Sequence, residues 1–193
     1  IPNSYVWDYD DGSPFDFTQD TTHVFNSVGQ YNVKLKVKNL FQCEDSLIKV
    51  LYVRPYIDSF PYFEQFENGF GGWYPEALDT FISWELVNPN KTVITGAYSG
   101  NKAWVTDSLG SYYSNENSFV VGPCFDFTNL KRPMVVMKIF NQTKFEDDGA
   151  VFQYSLDGGS SWITSGFISS GINWYNGNVF TSNPGNQTGQ KVA

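Results

Sequence analysis

Apolar and polar residues alternate with a period of two in several short runs of this chain. The clearest is Tyr31-Asn32-Val33-Lys34-Leu35-Lys36-Val37, where every second residue is apolar. A pleated strand puts all of those side chains on one face, so the run predicts a half-buried antiparallel strand. Tyr5-Val6-Trp7 predicts an earlier strand that closes on the acidic turn Asp8-Tyr9-Asp10-Asp11-Gly12, and 46–53 predicts a later one ended by Arg54-Pro55. Further along, 134–140 reads as an apolar-rich strand, and 149–156 alternates with Phe152, Tyr154 and Leu156 on one side. Asp157-Gly158-Gly159-Ser160-Ser161-Trp162 then supplies a hairpin turn and a returning strand. No helical period of similar length occurs, so the expected class is all-β.

Composition sharpens that picture. Charged residues make up 17% of the 193 and aromatics 18%, with 17 Gly and 9 Pro, a balance that favours many short strands. The net charge is -8 and no Lys/Arg cluster interrupts it. A phosphate backbone is repelled by such a surface, which argues against nucleic acid, and anionic membranes are disfavoured for the same reason. No apolar run approaches the ~20 residues that span a bilayer, so membrane insertion is not expected. One His and two Cys leave little material for metal hydrolases or thiol enzymes. There is no nucleophile-elbow Ser, no phosphate-cradling loop and no His-rich metal motif. The acidic groups Glu64/Glu67 and Glu146/Asp147/Asp148 read as solvated loop residues. Catalysis is not expected. The chain starts at Ile1 without a Met and reads as a segment of a longer protein, with neighbouring domains of that chain as its first partners.

Within 1–54, three motifs follow in order: WDYDDG at 7–12, HVF at 23–25 and GQYNVKLKVKN at 29–39. Together they resemble a PKD domain, an immunoglobulin-like β-sandwich of cell-surface and secreted proteins. The resemblance implies the C-terminal part of such a sandwich, since the family has further strands before the Trp. It also makes His23 structural, and Tyr31 is expected to form a tyrosine corner, its hydroxyl bonded to nearby backbone. Asp8, Asp10 and Asp11 offer clustered hard oxygens suited to calcium, with a turn of solvated carboxylates as the alternative.

Residues 55–61 carry Pro near both ends and leave the alternating pattern, so a short stiff linker is expected there. From 62 to 193 the motifs FENGFGGW, SGNKAW, GPCFDF and YSLDGGSSW resemble the MAM-like jelly rolls and cleaved-adhesin domains of large Bacteroidetes surface proteins. That implies a jelly-roll β-sandwich, incomplete at its C-terminus. It also implies a structural calcium, with carboxylates from Glu67 and Asp148 and the Asn101 carbonyl; the alternative is that these are ordinary loop residues. Tandem modules of this kind resemble cargo of the type IX secretion machinery, used in gliding motility and adhesion.

Exposed aromatics suggest stacking on a surface glycan. Trp73, Trp84, Trp104 and Trp162 lie in or beside strand patterns and read as core, whereas Trp174-Tyr175 and Tyr112-Tyr113 sit in polar surroundings and are the candidates. Asp45-Ser46-Leu47 and Asp107-Ser108-Leu109 resemble the O-glycan acceptor sites of secreted Bacteroidetes proteins, which marks Ser46 and Ser108. Asn90, Asn141 and Asn186 begin eukaryotic-type sequons. Cys43 and Cys124 fall in different expected domains, too far apart for a bridge within ~7 Å, and each is expected to pair elsewhere. The resulting expectation is a secreted, non-catalytic structural or adhesive segment of a large cell-surface protein. The alternative is an accessory glycan- or protein-binding module of a secreted multidomain protease or polysaccharidase.

Overall fold

The computed structural model describes residues 2–144, 147–167 and 170–175, and these are all-β with no helix. The first three strands form one antiparallel sheet in the order β1 (Pro2–Asp8), β2 (Gly29–Asn39), β3 (Glu44–Val53). The expected strands form, with Trp7 opposite Leu35, Leu35 opposite Leu47, and Tyr31 opposite Leu51. Opposed residues share a face, so Tyr5, Trp7, Tyr31, Val33, Leu35, Val37, Leu47 and Leu51 lie on one side. Lys34, Lys36 and Lys38 lie on the other, where Glu44 bridges Lys36 at 2.6 Å and Lys38 at 3.2 Å.

The β2–β3 connection turns at Asn39, whose carboxamide oxygen accepts the Phe41 and Cys43 amides. Beyond β3 the chain does not run free. Tyr56–Ile57 form β4 and pair in parallel with β9 (Cys124–Phe125), so two residues expected in a linker belong to a ladder. Two further contacts tie the halves together: Tyr52 stacks on Tyr74 at 4.6 Å, and Arg54 pairs with Glu76.

The rest is made of short antiparallel pairs. β5 (Tyr74–Ala77) pairs with β8 (Ser118–Val121), β6 (Trp84–Val87) with β7 (Ala103–Thr106), and β10 (Gln153–Tyr154) with β11 (Ile163–Thr164). Among the described residues these ladders do not merge into the two sheets of a jelly roll. The strand expected at 134–140 is not formed, and Met134, Val136 and Phe140 are exposed. The physical reason is that alternation selects a strand only when a neighbour satisfies its backbone, and no described segment pairs with this one. For the same reason 149–156 shrinks to the two residues of β10.

Candidate functional site

The WDYDDG and HVF motifs build a stack of rings. Tyr9, buried at the end of β1, lies face to face with His23 at 3.8 Å and 5°. His23 meets the edge of Phe25 at 4.8 Å, and Phe25 packs on buried Tyr31 at 4.5 Å. The alternation in 21–25, with Thr21, His23 and Phe25 turned inward and Val24 outward, delivers both rings from one extended segment. Tyr31 closes the stack, its hydroxyl donating to the Ser27 carbonyl at 2.8 Å as the tyrosine corner requires.

Carboxylates fasten this cluster. His23 Nε2 lies 2.7 Å from Asp11 Oδ2. Ser13, whose amide donates to Asp11 Oδ1 at 3.0 Å, and then His23 hold the Asp11 carboxyl down at about 2. Asp16 is held at about 2 by the Thr21 hydroxyl and the Thr18 amide and hydroxyl. Asp16 also pairs its backbone with Trp7. Asp8 Oδ1 accepts the Asp10 amide, and Asp10, at φ 61°, reaches across to accept the Asn32 backbone and side-chain N–H groups. Each of the three turn carboxylates therefore serves separate donors. His23 is engaged by the ring stack and by its hydrogen bond to Asp11.

In the second half, FENGFGGW and SGNKAW meet at one carboxylate. Glu67 Oε1 accepts the amides of Asn101 at 2.8 Å and Lys102 at 2.7 Å, and the Lys102 ammonium donates to the Glu67 carbonyl at 3.2 Å. The Lys102 amide, then that of Asn101, lowers the Glu67 carboxyl from its usual range. Gly100 makes the approach possible: it sits at φ +65°, and a Cβ there would strike the Glu67 side chain. Glu67 and Asn101 are thus brought together, but by an N–H···O bond rather than through the Asn101 carbonyl. Asp148 is elsewhere engaged, accepting from Tyr112 at 2.8 Å. Among the described residues no three His, Cys, Asp or Glu side chains gather to hold a metal. No hydrogen bond of the described residues joins Asp148 to Glu67 or Asn101; Glu146 lies outside the described residues.

The aromatic candidates divide. Tyr175 is buried, its hydroxyl accepting the Phe152 amide and donating to the Phe152 carbonyl, both at 3.2 Å. That corrects its expected role as an exposed glycan platform, because a ring held inside by its own hydroxyl has no free face. Trp174 is half-buried, with its indole N–H on the Ser165 carbonyl. Tyr112 is half-buried through Asp148, while Tyr113 is exposed and packs on Phe81 at 5.4 Å. Trp73, Trp84, Trp104 and Trp162 are all half-buried. Ser46 is exposed on β3, opposite Lys36, and Ser108 is half-buried in a turn where Asp107 accepts the Leu109 and Gly110 amides. Asn90 is exposed, Asn141 is half-buried, and Asn186 lies outside the described residues. Both cysteines are free and exposed.

Some anchoring carboxylates escaped the sequence reading. Glu116 accepts from the Ser83 amide and hydroxyl, the Ser118 hydroxyl and the Tyr113 amide, and its carboxyl stays low although burial pushes it up. Asp126 and Asp157 are both held at about 2, chiefly by the Thr128 and Ser161 hydroxyls. A signal existed for three of these: Asp16, Asp126 and Asp157 each precede a Ser or Thr by two or four residues, the spacing of side-chain turns. Glu116 likewise precedes Ser118 by two, but nothing local points to Ser83, which is remote in sequence.

Residues 1–54 match the PKD domain family. No curated protein and no solved structure matches the chain. PKD domains are typically non-catalytic structural or adhesion-type modules of extracellular proteins. The ring stack and the carboxylates that fasten it lie within that matched segment. No helix of the described residues is long and apolar enough to cross a membrane.

Proposed function

We propose that this chain is a non-catalytic structural and adhesive segment of a large secreted cell-surface protein. The PKD match over 1–54 carries the reading. Its chemistry supports it: His23 and Asp11 are committed to each other, Asp16 to Trp7 and Thr21, and Glu67 to a loop clasp. Carboxylates used in this way fasten turns. Export as type IX cargo, with a role in gliding or adhesion, belongs to the same reading and draws on the motif order of 62–193. The test has two arms. Antibody labelling and protease shaving of intact cells of the native host should find the protein outside. The purified chain should bind surface polysaccharide or protein arrays without turning any of them over. Failure to label intact cells, or hydrolysis of a peptide or glycan, overturns the proposal.

A further inference from the structure

β4 and β9 have two residues each, yet their direction sets them apart. Tyr56 lies beside Cys124 and Ile57 beside Phe125 in parallel register, whereas the other described ladders are antiparallel. The Cys124 amide donates to the Pro55 carbonyl at 3.0 Å and the Asp126 amide to that of Ile57 at 2.8 Å. The Tyr56 hydroxyl adds a bond to Asp126 Oδ2 at 2.7 Å. Rings flank the pair: Tyr62 meets Phe125 edge-on at 5.2 Å, and Phe60 packs on Phe127 at 5.4 Å. Gly72, at φ +80°, closes behind it, where a Cβ would strike the Pro55 ring. Between the two strands the chain makes a closed loop, residues 58–123, and the β5–β8 and β6–β7 pairs both lie inside that loop.

We infer that the β4–β9 pair is a tension-bearing closure. It passes a pull on the chain from β3 directly to the residues after β9, and it shelters 58–123 until it breaks. This rests on the proposed adhesive role, which is what puts the chain under tension. The direction of the strands carries the inference. Tension enters β4 from its N-terminal side and leaves β9 from its C-terminal side. In a parallel pair those sides are opposite ends of the ladder, so the strands are dragged past each other and their hydrogen bonds must yield together. An antiparallel pair in the same place would have both pulled sides at one end, and its bonds would open one at a time. Resistance to force follows the rate of opening rather than the equilibrium stability, so a short ladder in this geometry suffices. Breaking it frees the loop 58–123, which adds about 220–240 Å of extended chain.

Optical-tweezers pulling on the 193-residue chain tests this, with handles first at its two ends. A discrete step of about 220–240 Å is expected. A crosslink assigns the step: in a Cys43→Ser background, Tyr56→Cys faces Cys124 across the ladder, and oxidation should abolish the step until reductant is added. The second arm changes only the direction of pull. In a Cys43→Ser, Cys124→Ser background, handles at Asp58→Cys and Asn129→Cys hold both strands from their C-terminal sides, so the ladder unzips. A step of similar length at a lower force is expected there, and this arm decides the matter if the crosslink does not form. A chain that extends end to end without such a step overturns the proposal. So does a step that survives a formed crosslink, or one that needs no more force from the ends than from 58 and 129. These outcomes concern the purified chain alone, so they stand or fall separately from labelling on intact cells.

Discussion

Replacing Tyr31 by Phe removes one oxygen from the PKD segment and tests how its ring stack is held. Tyr31 is 8% exposed, its ring lies 4.5 Å from that of Phe25, and its hydroxyl donates to Ser27 at 2.8 Å. Tyr31→Phe keeps the ring and loses the donor. Ser27 is an exposed residue, so water can take over its carbonyl, and the loss should be that of an ordinary hydrogen bond, about 1 kcal/mol. Tyr31→Ala also removes the ring and leaves a gap beside Phe25, which should cost about 3–5 kcal/mol. Urea denaturation should show the midpoint falling in that order with the slope unchanged. In a thermal scan the Phe variant should melt about 2–4 °C lower. If Tyr31→Phe cost as much as Tyr31→Ala, the hydroxyl rather than the ring would hold the corner, and the reasoning from packing would be wrong.

Acid should loosen the same segment. Asp16 is lowered from 3.8 to about 2 in the folded chain, so its contribution is present above pH 4 and disappears as the pH falls toward 2. Asp16→Asn should flatten that part of the pH–melting profile, and an unchanged profile would remove Asp16 from the fastening set. Gly100→Ala should destabilise the loop that Glu67 clasps, through its positive φ and the clash with the carboxylate; Glu67→Ala should relieve the clash in the double variant, which a pair of melting curves reads directly. Because Glu67 is held by two amides, chelation should leave the melting temperature of the wild type unchanged, and a drop reversed by calcium would make Glu67 a metal ligand instead.

The alternation in 31–37 determined a strand, its inward face and, with 46–53, its antiparallel neighbour, because side-chain period and backbone pleat are the same local property. The motif order likewise placed Tyr31 at the corner and His23 in a structural role, and it named Glu67 and Asn101, which the fold brings into contact. It could not say how they meet. Whether a carboxylate gathers backbone amides or a metal depends on which donors the folded loops deliver, and Gly100, Asn101 and Lys102 arrive there only through tertiary packing. The same limit applies to 134–140 and Tyr175. A strand needs a partner for its backbone and an aromatic ring needs an open face, and both conditions are set by segments distant in sequence. Local pattern fixes which way a residue points from its own chain; only the assembled structure decides what it points at.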